Sequence, residues 1–381
     1  MPHRVLMVAG EASGDMHASG VVRALKVREP AIEVYGVGGD RMREEGMEIV
    51  VHIRELAFMG FVEVLANLAT VRRVGRCLED LLEHRRPDIT VLVDYPGFNL
   101  RFARTAARRG IPVLYYISPQ VWAWHRGRVR KMRETVRAMK VVFPFEEEIY
   151  RAEGIDVEFV GHPLAERIGT ASSRAEFFAR FGLDPAKRLL ALLPGSRLQE
   201  IRAILPVLLE AAGRLTHTGD AQAAVGVAPN LGLPPLMPFL QSAPAVTAVE
   251  HATYDLMAHA DAAIVTSGTA TLETGWFGTP MVIVYKTSPL SYGIGRMLVT
   301  VPYIGLANIV AGAPIVPELI QSQLTCENLV RTIAPLLHDR AAAAAMRSRL
   351  AVIREKLGGP GASAKVAEAI LGLVRQQTVP A

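Results

Sequence analysis

Short apolar runs, rich in β-branched residues and leucine, recur along the chain between longer amphipathic stretches. In the first half they are residues 5–9, 33–35, 89–93, 113–117, 140–143 and 158–160. In the second half they are residues 189–193, 223–227, 246–249, 262–265 and 281–285. Near-continuous apolar runs of this length predict strands covered on both faces. Their alternation with helical patterns predicts βαβ units, hence an α/β fold with parallel sheets. The series restarts halfway. Residues 5–9 feed Gly10-Glu11-Ala12-Ser13-Gly14-Asp15, and residues 189–193 feed Pro194-Gly195-Ser196-Arg197. Two Rossmann-like, doubly wound domains are therefore expected, with a hinge between Gly161-His162-Pro163 and Arg174. The expected boundaries are 1–165 and 166–345, with the helices of 346–381 crossing back to the first domain. Open α/β sheets bind ligands beyond the carboxyl ends of their strands, so a central cleft faced by both domains is the expected substrate site.

A length of 381 residues supports two cores rather than one. The chain is 50% hydrophobic and 21% charged, which excludes a disordered chain. The net charge of +5 favours an acidic partner without choosing among phosphorylated substrates, anionic membrane and nucleic acid. Two distant cysteines, Cys77 and Cys326, give neither a disulfide framework nor metal-ligand spacing, so a cytoplasmic setting is expected. Neither a signal-peptide layout nor an apolar run of about 18 residues is visible.

Gly195-Ser196-Arg197 joins a strand to a helix. Such a turn offers backbone N–H groups, the positive end of a helix dipole and a guanidinium to an anion such as a pyrophosphate. Equally, it reads as an ordinary βα turn with a surface arginine. Ser267-Gly268-Thr269 repeats the arrangement after residues 262–265, with Glu273 one turn into the helix as an acceptor for ribose hydroxyls. The first turn, 10–15, lacks both G-x-G-x-x-G and a P-loop lysine. Its Ser13 and Gly14 allow close approach of a sugar or phosphate, while Glu11 and Asp15 bond hydroxyls or cap the helix. Asp94 ends a buried strand, where an ionised carboxylate needs a reason. It reads as a general base toward a hydroxyl, or as a brace of the Pro96-Gly97 turn. Trp122 and Trp124, ahead of a basic run, line a sugar site or pack in the core.

Residues 56–68 are apolar on most sides and are followed by Arg72, Arg73 and Arg76. Phe58, Met59, Phe61, Val62 and Leu65 either enter a membrane interface, with the arginines on lipid phosphates, or form a core helix. D-x-D, H-E-x-x-H and G-x-S-x-G do not occur, the histidines form no ligand cluster, and no nucleic-acid motif is present.

Together these stretches resemble the lipid-A-disaccharide synthase family of GT-B glycosyltransferases. The matching segments are VAGEASGD (8–15), ELAFMGFVEVL (55–65), VDYPGFN (93–99), YISPQVWAW (116–124), FVGHPLAE (159–166), LLPGSRLQEI (192–201), SGTATLE (267–273) and ANIVAG (307–312). The resemblance implies an inverting condensation of UDP-2,3-diacylglucosamine with 2,3-diacylglucosamine 1-phosphate (lipid X). Its products are the β-1,6 disaccharide 1-phosphate and UDP. No cofactor or metal is implied. Asp94 would be the base, Glu11 would position sugar or acceptor, Arg197 would hold the pyrophosphate and Glu273 the ribose. Ser196, Ser267, Gly268 and Thr269 would surround the nucleotide and Asn308 would complete the site. The remaining substrate-side candidates are Ser13, Gly14, Asp15, Trp122, Gly195 and Glu200. A peripheral position on the anionic inner face of the inner membrane is expected, without nucleic acid; the oligomeric state is left open. Other GT-B enzymes on UDP-sugars, of the UDP-N-acetylglucosamine 2-epimerase or peptidoglycan glycosyltransferase type, share the glycine-rich turns. A two-lobed, non-catalytic binding protein is the reading from another class.

Overall fold

The computed structural model describes residues 2–56, 68–119, 128–288, 292–293 and 301–378. Contacts divide the chain into two units, Met1–Glu166 with Gly359–Ala381, and Arg167–Gly358.

Among the described residues of the first unit, β1 (Arg4–Ala9), β2 (Glu33–Gly38), β3 (Glu48–His52), β4 (Ile89–Val93), β5 (Val113–Tyr116), β6 (Ala138–Val141) and β7 (Val157–Phe159) form a parallel sheet in the order β3-β2-β1-β4-β5-β6-β7. The helices are α1 (Ala12–Arg28), α2 (Asp40–Glu44), α3 (Leu68–His84), α4 (Pro96–Arg108), α5 (Arg128–Arg133) and α6 (Pro144–Arg151). Leu6, Val8, Leu92, Tyr115 and Met139 from successive strands share one core with Val74, Leu78 and Leu82 of α3. Every residue of β4 is buried, as its unbroken apolar run requires.

In the second unit β8 (Arg188–Leu193), β9 (Ala221–Gly226), β10 (Val246–Val249), β11 (Ala262–Thr266), β12 (Met281–Tyr285) and β13 (Glu318–Ile320) pair in the order β10-β9-β8-β11-β12-β13, all parallel. Its helices are α7 (Arg174–Phe181), α8 (Leu198–Thr216), α9 (Met237–Leu240), α10 (Thr253–His259), α11 (Thr269–Phe277), α12 (Leu306–Ala311), α13 (Cys326–His338) and α14 (Arg340–Leu357).

Each sheet grows outward from its first strand, so the order reverses between β1 and β4 and between β8 and β11. These switch points are where α/β sheets open a crevice.

Three points correct the sequence reading. Strands β3 and β13 lie at sheet edges, paired on one side, and their short or half-exposed patterns carry little apolar signal. Strand β5 stops at Tyr116 because Ile117 turns into the left-handed region (φ 60°). Helix α14 belongs whole to the second unit, where it buries Met346, Leu350, Ile353 and Leu357, so that unit extends past the expected end at 345.

The last helix, α15 (Ala362–Thr378), belongs to the first unit and packs on α1. Glu166 holds its start, accepting from the N–H groups of Gly361 (3.0 Å) and Ser363 (2.8 Å) and from Ser363 Oγ. Arg28 pairs with Glu368 at 2.9 Å further along.

Candidate active site

In the first unit the site candidates gather at the β1/β4 switch point. Gly10 follows β1, and a Cβ there would run into the Tyr95 ring. Its absence lets the turn after β4 lie against the turn after β1. Glu11 is the exposed residue preceding α1, and its side chain caps nothing.

Asp94 and Tyr95 are consecutive residues in the left-handed region, both at φ 48°. For a tyrosine this is a costly conformation, and such strain concentrates where side chains must be aimed. The corner is held by its backbone. The Asp94 N–H donates to Tyr116 O (3.0 Å). The Asp94 carbonyl accepts from Tyr115 Oη (2.6 Å) and from Asn99 Nδ2 (2.8 Å). Pro96 then opens α4 with its φ preset, where its missing N–H costs nothing. The VDYPGFN stretch thus builds a rigid mount for one carboxylate. Burial first, and the Glu11 charge second, push the Asp94 carboxyl up to about 6, while the Tyr95 N–H partly offsets them. It is an acid whose affinity for a proton suits accepting one near neutral pH.

Two first-unit candidates are buried and make contacts within the fold. Asp15 is 4% exposed and accepts from the N–H groups of Gly39 (2.6 Å), Met42 (3.2 Å) and Arg41 (3.3 Å). It caps α2 from another helix. Gly14 is buried, with Ala9 Cβ and the Val93 carbonyl at van der Waals distance from where its Cβ would be, so it packs helix against sheet. Ser13 remains exposed in the first turn of α1. Trp122 lies outside the described residues, as do Phe58, Met59, Phe61, Val62 and Leu65.

In the second unit the candidates surround the β8/β11 switch point. Gly195, at φ 107°, bends the chain out of β8, and Arg197 precedes α8 without capping it. Asn230 Nδ2 donates to Ser196 O (2.9 Å) and fixes the turn. Glu200 reaches back one turn, accepting from the Ser196 N–H (3.2 Å) and from Arg197 (2.8 Å). Gly268 precedes α11 at φ 150°, a conformation glycine adopts readily, and no side chain caps that helix. Thr269 is exposed at its first position. Ser267 Oγ donates to Ile304 O (2.7 Å), and Thr271 Oγ1 donates to Gly268 O (2.8 Å) while accepting from the Ala307 N–H (3.3 Å). These bonds bring SGTATLE and ANIVAG together.

Asn308 is fully buried; its Nδ2 donates to Val316 O (2.8 Å) and Glu318 Oε1 (2.9 Å) and its Oδ1 accepts from the Val316 N–H (2.9 Å), which ties α12 to the loop that follows it. Glu273 accepts from Tyr254 Oη at 3.0 Å; burial raises its carboxyl pKa, against that hydrogen bond and the Arg167 charge.

Sequence reasoning missed Tyr95 and Tyr115, which build the Asp94 corner, and Tyr254, which bonds Glu273. Only Tyr95 carried a signal, through its place between Asp94 and Pro96.

Solved structures share this architecture. The calicheamicin glycosyltransferase aligns with a TM-score of 0.64 at 19% identity, covering all of both chains (100% each). UDP-GlcNAc 2-epimerase from Neisseria meningitidis, bound to UDP-GlcNAc, aligns with a TM-score of 0.66 at 14% identity over 97% of this chain and 100% of that one. Two parallel α/β sheets of this order, each with a small-residue βα turn at its switch point, define a glycosyltransferase-type GT-B fold. A family model described as lipid-A-disaccharide synthetase matches residues 5–366. Lipid-A-disaccharide synthase of Geobacter sulfurreducens is 45% identical over 377 residues, and that of Syntrophus aciditrophicus is 44% identical over 375, each covering 98% of both chains. The chain belongs to the lipid-A-disaccharide synthetase family, and is a hexosyltransferase of lipid A biosynthesis. The likeness to epimerases is one of fold alone.

Proposed function

We propose that the chain transfers a diacylglucosaminyl group from UDP-2,3-diacylglucosamine to the 6-hydroxyl of 2,3-diacylglucosamine 1-phosphate. The bond from C1 to the UDP oxygen breaks, and its electron pair leaves with UDP. The bond from C1 to O6 forms on the opposite face, and the hydroxyl proton passes to Asp94. Inversion in one displacement needs one base and no covalent intermediate, through an oxocarbenium-like transition state. The observation that carries this reading is the Asp94 carboxyl, held in a strained corner by Tyr115 and Asn99 and raised to about 6.

The first unit supplies the base and, through Glu11, a charge that tunes it. The second unit supplies the nucleotide contacts. Arg197 and the starts of α8 and α11 hold the diphosphate and stabilise charge as UDP departs. Glu273 accepts from the ribose. Because these groups balance the leaving-group charge, no metal is assigned, and turnover is expected to persist with a chelator.

Substrates with acyl chains are drawn from a membrane surface. Among the described residues no helix is long and apolar enough to cross a membrane. Helix α3 buries Val74, Leu78 and Leu82 while Arg72, Arg73 and Arg76 stay exposed. This basic edge supports peripheral binding to an anionic inner-membrane face. The test of the reading is Asp94→Asn, which must lower transfer by about 10²-fold or more while UDP binding persists; full turnover in that variant would end it.

A further inference from the structure

The Glu200 carboxylate lies on the Gly195-Ser196-Arg197 turn and takes two of the donors that the turn would offer an anion. Its Oε2 accepts from the Ser196 N–H at 3.2 Å and its Oε1 from Arg197 at 2.8 Å. The turn is shaped around it: a Cβ on Gly195 would collide with Glu200 Oε2. Glu200 is only 12% exposed, whereas Arg197 is 63% exposed. The two donors expected to grip a diphosphate are thus already bonded to a charged acceptor of the chain itself. A backbone N–H has one proton to give, so Ser196 cannot serve Glu200 and a phosphate equally well. Asn230 holds Ser196 through its carbonyl, which leaves the N–H as the contested group.

We infer that Glu200 is a resident counter-anion, a positioning residue rather than a substrate ligand, which yields its donors when a nucleotide diphosphate binds and reclaims them when UDP leaves. This rests on the diphosphate reading of the same turn. In the empty turn the Ser196 N–H and one Arg197 N–H are satisfied by Glu200. A diphosphate, carrying more charge than one carboxylate and accepting from the same donors, replaces it. After transfer the returning carboxylate speeds release of the product UDP. The cost is weaker UDP binding, since each binding event breaks these bonds and places a second negative charge nearby.

The experiment measures UDP binding by calorimetry, and UDP product inhibition of transfer, in the full chain and in Glu200→Gln, Glu200→Ala and Arg197→Ala. Removing the competing charge should tighten UDP binding about tenfold in both Glu200 variants, a change worth about 1.4 kcal/mol. Product inhibition should deepen in step. Arg197→Ala should lose UDP binding. Thermal melting establishes that each variant folds, and the Ala variant serves if the Gln variant does not. Unchanged or weaker UDP binding in the Glu200 variants, with Arg197→Ala still impaired, would show that Glu200 merely braces the turn. That result overturns the inference and leaves the diphosphate assignment standing. If Arg197→Ala binds UDP as the parent does, the diphosphate assignment falls and takes the inference with it.

Discussion

Glu11 and Asp94 leave neighbouring strands at the same switch point, and the charge of Glu11 adds to burial in raising the Asp94 carboxyl to about 6. Two carboxylates that repel one another cannot both ionise freely, so the buried one holds its proton longer. The arrangement keeps Asp94 able to accept a proton above that pH and disables it below.

Asp94→Asn should lower kcat by about 10²- to 10⁴-fold, the usual contribution of a general base. It should also stabilise the protein. The folded-state pKa of about 6 exceeds the ordinary 3.8, so stability from this group is lost as pH rises between those values. Near pH 8 the Asn variant should be more stable by about 2 kcal/mol, discounted for partial exposure, and near pH 4 the advantage should vanish. Denaturant titrations at the two pH values check this.

Glu11→Gln removes the second cause of the Asp94 shift while leaving burial. The acid limb of the kcat/KM–pH profile should move to lower pH, with the plateau reporting any separate contact of Glu11 with substrate. An acid limb fixed at its original position would disconnect the two residues.

Asp15→Ala should behave as a structural lesion. Three backbone N–H groups around the start of α2 lose their acceptor, which costs about 2 kcal/mol. Chemical denaturation should show the loss, and the KM of the folded variant for the sugar nucleotide should stay near that of the parent.

His162 is buried beside His17, and burial first, then the His17 charge, lowers its pKa to about 3. Its Nδ1 accepts from the Leu164 N–H at 3.1 Å. The unfolded chain protonates first, so stability is lost as pH falls from 6.5 toward 3, by about 1.4 kcal/mol per pH unit. His162→Asn keeps an acceptor for Leu164 and should flatten that slope. An unchanged slope in urea titrations would place the acid sensitivity elsewhere.

Binding to anionic vesicles should fall with ionic strength and with Arg72→Ser, Arg73→Ser and Arg76→Ser combined, because about 1 kcal/mol per arginine is at stake. Phe58→Ser, Phe61→Ser and Leu65→Ser together should release the protein at any salt concentration while its circular dichroism stays native. Retention on vesicles by both variants would refute membrane docking through this region.

The strand pattern alone determined the α/β class, the restart of the series at residue 189, and the small-residue βα turns at the two switch points. Buried parallel strands are apolar throughout, and small residues at a strand's carboxyl end mark a switch point. Asp94 stood out for the same reason: a carboxylate closing a buried strand is conspicuous in one dimension. The amino-acid order could not show whose backbone a polar side chain would serve. Asp15 and Asn308 sit in motifs beside exposed or half-exposed residues, yet the fold turns them inward, to the start of α2 and to the loop before β13. Nor could the amino-acid order show that Glu200 folds back one helical turn onto the Ser196 N–H and Arg197. The return of α15 to the first unit depends on Glu166 meeting Gly361 and Ser363, a contact across almost 200 residues. Hydrophobic periodicity is local and survives in the sequence. Hydrogen-bond partnership between distant segments exists only once the chain has closed on itself.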